Sequence, residues 1–291
     1  MTVSSARRCA MRKTMTSLAG IMGLTAAVCA GQNVAPLWPE GKVPLTTSGA
    51  PEKVTPSADD IIRLTDVNVP SLTVSLAPDN GKPNPAVLIC PGGGYRILAW
   101  NLEGTELAEW LNRQGISAFI LKYRVPGNRD GAFCDAQRAM GLIRSQAQTF
   151  NVDPKRVGIM GFSAGAHLAV RTSTDFGRRF YEPIDGADDL PSRPDFSLVI
   201  YPAYLFRDGY TLAPELPVTP QVPPTFLIQA EDDSPHVDSS LAYCIALKAA
   251  KVPVEMHVFP NGGHGYGLRK KGKATDVWPE LAAVWLAHVA K

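Results

Sequence analysis

The sequence predicts an α/β domain in which a mostly parallel central sheet carries helices on both faces. Short continuous apolar runs alternate with amphipathic segments, and this alternation is typical of strand–helix–strand units. Several apolar runs stop at glycine-rich or acidic segments, and ligands of such sheets bind beyond the carboxyl ends of the strands. The predicted parallel strands are residues 86–90, 117–123, 156–161, 197–201, 225–230 and 254–259.

The remaining elements follow from periodicity and capping. Residues 61–68 and 72–76 alternate polar and apolar side chains, so we expect an antiparallel pair of strands. Residues 105–114 carry one apolar stripe that ends at a glycine, which predicts a helix. Asp135 is expected to cap a second helix that runs to Thr149. Three more helices are predicted, at 166–172, 241–250 and 278–289.

Residues 1–30 have the composition of an export signal. A basic start precedes an apolar stretch that ends in small residues suited to cleavage. We expect a cleaved signal peptide, an exported protein that is periplasmic or extracellular, and no stable membrane span after cleavage. A twin-arginine signal at Arg7-Arg8 and a lipid on Cys29 are the alternatives. The four basic residues are Arg7, Arg8, Arg12 and Lys13.

The rest of the chain divides into an arm and one domain. Residues 31–60 are rich in Pro, Gly, Ser and Thr, which predicts an extended arm on the surface or a linker. Residues 61–291 show no break in composition and are predicted to form the catalytic domain. The net charge is only +2, so the sequence offers no basic excess for nucleic acid, and no such partner is expected.

No metal and no cofactor are predicted from the sequence motifs. Signal cleavage would leave Cys90, Cys134 and Cys244, an odd number that allows at most one internal disulfide. The sequence contains no C-x-x-C pair and no H-E-x-x-H motif, which are the common sequence signs of a zinc site.

Residues 161–165, GFSAG, predict a nucleophilic serine at a strand-to-helix turn. The apolar run before the motif supplies the strand, and the small residues after it supply the helix. Glycines let strand and helix pass close together, so that the Ser163 hydroxyl projects from the sharp turn. A plain Gly-Ser turn is the simpler alternative.

A serine hydroxyl needs a base, and His264 is the leading candidate. It lies directly after the last predicted strand, with glycines on both sides that give the imidazole room to move. His236, on the loop after strand 225–230, is the only competing histidine. His167 is expected to be packed or hydrogen-bonded on the helix that follows Ser163.

The imidazole in turn needs a carboxylate to orient it. Three acids, 231–233, follow strand 225–230, and we choose Asp233, with Asp232 as the alternative. The chain order serine, aspartate, histidine is the one used by α/β-hydrolases, and it differs from the order in chymotrypsin and subtilisin.

Acyl transfer also needs backbone amides that await a developing oxyanion. Residues 91–95, PGGGY, follow strand 86–90, and we predict an oxyanion hole formed by Gly93 or Gly94 together with Ala164. Aromatic side chains near these loops are candidates for substrate binding, and residues 203–224 for a small cap. These aromatic residues are Tyr95, Trp100 and Tyr266, with Tyr204 and Phe206 as further candidates.

Five motifs together resemble the bacterial acetyl-xylan and feruloyl esterase-like branch of the α/β-hydrolases. They are CPGGGY at 90–95, YRVP at 123–126, DAQRA at 135–139, GFSAGAHLA at 161–169 and GHGYG at 263–267. The resemblance implies the α/β-hydrolase fold and esters of plant polysaccharides as substrates. Members are often labelled xylanases, yet no pair of acids here has a spacing that singles out a glycosidase site.

The leading functional hypothesis is a serine carboxylesterase that removes acetyl or small aromatic acyl groups from a small-molecule or carbohydrate ester. A prolyl-oligopeptidase-like serine peptidase would use the same triad, but such enzymes normally carry a large additional domain. A non-enzymatic carbohydrate-binding protein on a hydrolase fold is a third hypothesis.

Overall fold

An eight-stranded mixed sheet forms the centre of the structure, a computed structural model that describes Met1 and residues 33–46, 49–55 and 57–290. The strands in chain order are β1 (Asn33–Pro36), β2 (Lys53–Thr55), β3 (Arg63–Thr65), β4 (Ser71–Ser75), β5 (Asn84–Cys90), β6 (Leu98–Ala99), β7 (Ser117–Lys122), β8 (Val152–Phe162), β9 (Ser197–Ile200), β10 (Phe206–Arg207), β11 (Thr211–Leu212), β12 (Thr225–Ala230) and β13 (Val254–Phe259). The order across the main sheet is β1-β4-β7-β5-β8-β9-β12-β13. The six strands from β7 to β13 in this order are parallel, and β4 and β1 extend one edge in antiparallel pairings.

Helices cover both faces of this sheet, as predicted. They are α1 (Glu106–Arg113), α2 (Arg129–Ser145), α3 (Ala164–Thr174), α4 (Val237–Ala249) and α5 (Trp278–Val289). Alternate residues of β5 point to opposite faces: Leu88 packs in the same apolar cluster as α2, whereas Val87 packs in the cluster of α1 and α5. Helices α3 and α4 share a third apolar cluster with β9 and β12. The continuous apolar runs are therefore strands buried on both sides.

The predicted antiparallel pair of residues 61–68 and 72–76 is wrong. Strand β3 pairs instead with β2 and β6 in a separate three-stranded sheet. Strand β4 enters the main sheet between β1 and β7, where four of its five residues are buried. Alternation of polar and apolar residues indicates a strand but does not specify its partner, because pairing depends on residues distant in sequence.

The prediction that Asp135 caps a helix is also wrong. Helix α2 begins six residues earlier, at Arg129, and ends at Ser145. Its cap is Asn128, whose side-chain oxygen accepts a hydrogen bond from a backbone amide of the first turn. Asp135 is fully buried in the middle of α2 and forms an ion pair with Arg124, while Trp38 donates to the same carboxylate. A carboxylate is tolerated there because its oxygens are satisfied.

Part of the expected arm belongs to the sheet. Within residues 31–60, β1 pairs with β4, and the following residues Leu37 and Trp38 are buried in the core. The predicted signal peptide, the twin-arginine pair and Cys29 lie outside the described residues. Among the residues that the structure describes, no helix is both long and apolar enough to cross a membrane.

Candidate active site

Ser163 lies at the sharp turn between β8 and α3, with φ 52° and ψ −117°. The flanking glycines are required by close packing rather than by the turn alone. A Cβ atom on Gly161 would lie 2.2 Å from the carbonyl oxygen of Gly165, and one on Gly165 would lie 2.0 Å from the carbonyl oxygen of Cys90. Helix α3 therefore approaches both β8 and β5 at distances that only glycine allows, and this holds Ser163 at the carboxyl end of β8.

The structure brings Ser163, His264 and Asp233 together. The Nε2 atom of His264 lies 2.7 Å from the Ser163 Oγ atom, and its Nδ1 atom lies 2.6 Å from the Asp233 Oδ2 atom. Asp233 follows β12, and His264 follows β13, so the two loops at the carboxyl ends of neighbouring strands supply the contact. This arrangement allows the imidazole to take the serine proton while the carboxylate orients the ring.

The two adjacent aspartates have different contacts. Asp233 is buried, and its Oδ2 atom also accepts a hydrogen bond from Gln229, at 3.0 Å. Asp232 does not contact the imidazole through a hydrogen bond; its Oδ1 atom accepts from the backbone amide of Gly263 at 2.8 Å, which ties down the loop that carries His264. The geometry thus favours Asp233 as the orienting acid.

His236 lies beside His264 rather than taking its place. The two ring centroids are 4.7 Å apart with a tilt of 41°. Partial burial, followed by the proximity of His264, lowers the pKa of His236 below its usual value. The histidine that hydrogen-bonds Ser163 is His264.

The glycine-rich loop after β5 lies against Ser163. A Cβ atom on Gly92 would be 2.9 Å from the Ser163 Cβ atom. The Gly92 amide is already used, because it donates to the Glu103 carboxylate at 2.7 Å. Within the described part of the chain, no protein acceptor takes a hydrogen bond from the amides of Gly93, Gly94 or Ala164. These three amides remain available to an oxyanion.

A buried link that the sequence analysis missed joins the glycine-rich loop to the histidine loop. The other carboxylate oxygen of Glu103 accepts a hydrogen bond from the Tyr201 hydroxyl at 2.8 Å. That hydroxyl accepts in turn from the Gly267 amide, at 3.2 Å. Burial raises the pKa of Glu103 above its usual value. The only hint in the sequence is an acid that follows the glycine-rich loop and lies just before an amphipathic helix.

The predicted substrate-binding aromatics differ in position. Tyr95 and Tyr266 are only 3% and 2% exposed, so neither presents a ring to a substrate. Tyr266 packs edge-on against Tyr201, and Trp100 is half-buried against the core. Aromatic residues beside glycines can fill a core as well as line a cleft, and here Tyr95 and Tyr266 are buried beneath the loops that carry them.

Tyr204 is the exposed aromatic residue next to the glycine-rich loop. It is 39% exposed, and its hydroxyl would lie 3.7 Å from a Cβ atom on Gly94. The guanidinium of Arg129 lies 4.5 Å from the centre of the Tyr204 ring. Half-buried Phe206 belongs to the short β10–β11 hairpin, while much of segment 203–224 packs on the α3–α4 side through four buried residues: Leu205, Ala213, Leu216 and Val222.

His167 is buried on α3, in accord with its predicted packing. Its Nδ1 atom lies 2.8 Å from the Tyr95 hydroxyl, and its Nε2 atom lies 3.6 Å from the Glu215 carboxylate. Burial is the main cause that lowers the pKa of His167 to about 4, and it outweighs the opposing effect of Glu215. His167 therefore stays neutral at physiological pH and supports Tyr95 beneath the glycine-rich loop.

Comparison with known proteins places the chain among ester hydrolases. Residues 72–191 match the BD-FAE family, and residues 203–291 match the prolyl oligopeptidase family. Acetylxylan esterase of Xylanibacter ruminicola is 31% identical over 74% of this chain and 48% of its own length. Endo-1,4-beta-xylanase B of Butyrivibrio fibrisolvens is 31% identical over 68% of this chain and 34% of its own length. The chain thus spans less than half of these two curated relatives.

Two solved structures resemble this chain in both fold and sequence. The acetyl ester-xyloside bifunctional hydrolase of Caldicellulosiruptor lactoaceticus superposes with a TM-score of 0.75 and 32% identity, over 88% of this chain and 96% of that chain. The α/β hydrolase MGS-M1, from a deep-sea metagenome library of the Medee basin, has a TM-score of 0.64 and 26% identity, over 82% of this chain and 98% of that chain. The resemblance seen in the sequence is confirmed: this chain belongs to the α/β-hydrolase superfamily, in its acetyl-xylan esterase-like branch of carboxylic ester hydrolases.

Proposed function

We propose that the protein is a serine carboxylesterase in which Ser163 is the nucleophile, His264 the general base and Asp233 the orienting acid. One observation carries the proposal. The imidazole of His264 lies 2.7 Å from the serine hydroxyl through one ring nitrogen and 2.6 Å from the aspartate carboxylate through the other. Such a chain of hydrogen bonds activates a serine hydroxyl, which is otherwise a weak nucleophile.

The proposed reaction is a two-step acyl transfer. Ser163 attacks the ester carbonyl while His264 takes its proton, and the negative charge that develops on the carbonyl oxygen meets the amides of Gly93, Gly94 and Ala164. The protonated imidazole then gives its proton to the departing alcohol, and an acyl-serine remains. His264 next takes a proton from water, which attacks the acyl-serine. The imidazolium returns this proton to the Ser163 Oγ atom as the bond to the acyl group breaks, so the acid is released and the free serine is restored.

We infer that the substrate is an acetyl or small aromatic acyl ester on plant polysaccharide. The side chain of His264 is 32% exposed, so the reaction centre is accessible to an ester carried on a bulky molecule. The exposed Tyr204 ring, with Arg129 beside it, offers an amphipathic surface for a sugar next to the glycine-rich loop. The xylan-related names of several similar proteins agree with this substrate class.

We also propose that the protein is exported after cleavage of a signal peptide. The basic start and short apolar stretch of residues 1–30 support a cleaved signal peptide, and a polysaccharide substrate would be met outside the cytoplasm. N-terminal sequencing of the protein secreted by the source cells tests this proposal, and a retained N-terminal Met1 would contradict it.

The test of the reaction is hydrolysis by purified wild-type and Ser163→Ala protein. Wild type should release acid from p-nitrophenyl acetate and from acetylated xylan or feruloylated oligosaccharide, and Ser163→Ala should not. Among the residues that the structure describes, the Ser163 hydroxyl makes one side-chain hydrogen bond, to His264, so the circular dichroism spectrum should be unchanged. Ser145→Ala, at an exposed position at the end of α2, is the matched control and should keep full activity.

A serine peptidase is the second candidate, because residues 203–291 match the prolyl oligopeptidase family. Turnover of aminoacyl-proline amides without turnover of acyl esters would favour it. Retained ester hydrolysis in Ser163→Ala would exclude the proposed nucleophile.

A further inference from the structure

Three side chains of the types that ligate metals meet at His264. Asp233, His236 and His264 each offer one ligand atom, and these atoms all lie within 4.8 Å of one another. They come from two loops, one after β12 and one after β13, so no local sequence motif reveals the cluster. His236 is half-buried and lies beside the more exposed His264. His236 has no part in the proposed acyl transfer.

Two imidazoles and a carboxylate are a ligand set that suits zinc. A tetrahedral zinc ion with bonds of about 2.0–2.1 Å needs its ligand atoms about 3.3–3.4 Å apart. Atoms that already lie within 4.8 Å reach this spacing through movements of about 1.5 Å or less, which small side-chain rotations supply. The exposure of His264 leaves an open side for a water molecule as the fourth ligand. Magnesium and calcium prefer all-oxygen sites and do not suit this set.

We propose that Asp233, His236 and His264 bind one zinc ion from solution and that this ion reversibly inhibits the enzyme. The inhibitory half rests on the proposed function, in which both ring nitrogens of His264 are in use. Its Nδ1 atom contacts Asp233, and its Nε2 atom contacts Ser163. A nitrogen that binds zinc loses its hydrogen bond, so the imidazole loses either its orienting carboxylate or its access to the serine proton.

The scaffold around the cluster keeps two of the ligands in position. Gln229 donates to the carboxylate of Asp233, and Asp232 accepts from the Gly263 amide and so anchors the loop of His264. His236 lies directly before α4, the helix that begins at Val237. Zinc therefore meets groups on anchored loops. Binding costs the rotation of side chains and the hydrogen bond that the zinc-bound nitrogen of His264 gives up.

The first experiment measures zinc binding without reference to activity. Untagged, chelator-treated protein is titrated calorimetrically with zinc chloride, with magnesium chloride as the control ion. We expect one zinc per chain in wild type and in Ser163→Ala. We expect at least a tenfold weaker affinity in His236→Gln and in His236→Phe, of which the second keeps an aromatic ring against His264. His257→Gln is the matched control, because His257 pairs with Glu255 outside the cluster.

The second experiment measures inhibition, with each variant compared with its own activity in the presence of chelator. Zinc should inhibit wild type and His257→Gln, and chelator should restore them. His236→Phe should need at least tenfold more zinc for half inhibition. Absence of stoichiometric binding, or equal affinity in folded His236 variants, overturns the site. Binding without inhibition overturns the inhibitory role. A wild type with no esterase activity refutes the proposed function, while the calorimetry still decides the metal site.

Discussion

Replacement of Glu103 by glutamine tests whether the buried link between the two active-site loops positions the reacting groups. In the wild type, the carboxylate accepts one hydrogen bond from the Gly92 amide and another from the Tyr201 hydroxyl. Glutamine has a single acceptor oxygen. If that oxygen keeps the hydrogen bond from the Gly92 amide, the glutamine NH₂ group faces the Tyr201 hydroxyl. This hydroxyl already accepts a hydrogen bond from the Gly267 amide. The proton of the buried hydroxyl then has no acceptor.

The size of the effect follows from that lost bond. A buried donor without a partner costs about 1–3 kcal/mol. This free energy is the most by which the variant can disfavour the arrangement in which the two loops are aligned, relative to an arrangement in which they are displaced. A cost that falls entirely on the aligned arrangement lowers the rate by about 5- to 150-fold. Glu103 is 3% exposed and is therefore shielded from a substrate, so the loss should appear in kcat rather than in KM.

The assay is steady-state hydrolysis of p-nitrophenyl acetate by four proteins: wild type, Glu103→Gln, Tyr201→Phe and the double variant. Tyr201→Phe removes the same link from the other side. Because both changes break one connection, the double variant should lose little more than the worse single variant. Strictly additive losses, or a change confined to KM, would refute a positioning role for Glu103. A lowered melting temperature with unchanged kcat would reduce the link to a stabilising contact.

Three other changes have expected outcomes. Asp233→Asn should lower kcat about 30- to 1,000-fold in the ester assay, because a charge about 4 Å from the imidazolium of His264 contributes about 2–4 kcal/mol at an effective dielectric constant of about 20–40. His167 has its pKa lowered from 6.5 to about 4 in the folded state, so between these pH values the unfolded state binds one proton more. The free energy of unfolding should therefore fall by about 3 kcal/mol as pH drops from 6.5 to 4, and His167→Gln should remove this part of the slope in urea titrations. Gly165→Ala should destabilise the fold by about 3 kcal/mol or lower its soluble yield, because its Cβ would lie 2.0 Å from a backbone oxygen, whereas Gly186→Ala, in open space, should not.

Each of these outcomes can fail separately. Full activity in Asp233→Asn would exclude Asp233 as the orienting acid and direct attention back to Asp232. Equal pH slopes in wild type and His167→Gln would show that this imidazole is not kept neutral by the fold. A stable Gly165→Ala protein would mean that β5 and α3 separate more readily than their contact suggests.

The main features that the sequence predicted correctly are those that depend on neighbouring residues. The six parallel strands and five α-helices of the described residues were all expected, because buried strands appear as apolar runs and amphipathic helices as stripes. Errors arose where the outcome depended on distant partners. The alternation at β3 and β4 did not reveal their neighbours, and Asp135 resembled a helix cap because nothing local indicates Arg124 as its ion-pair partner.

The residues of the candidate site also divide into those that neighbouring residues indicate and those that depend on distant parts of the chain. The pattern of five consecutive residues, 161–165, indicates the turn at Ser163, although the contact of Gly165 with β5 is long-range. His264 is flanked by glycines directly after a strand. The sequence by itself therefore determined the fold class, the serine turn and the candidate histidine. Only the tertiary structure showed that Asp233 contacts His264 whereas Asp232 contacts the Gly263 amide. It also showed that Tyr95 and Tyr266 are buried and that Glu103 is hydrogen-bonded to Tyr201. The physical reason is that backbone geometry follows from local sterics, whereas the partner of a buried polar side chain is supplied by another part of the chain.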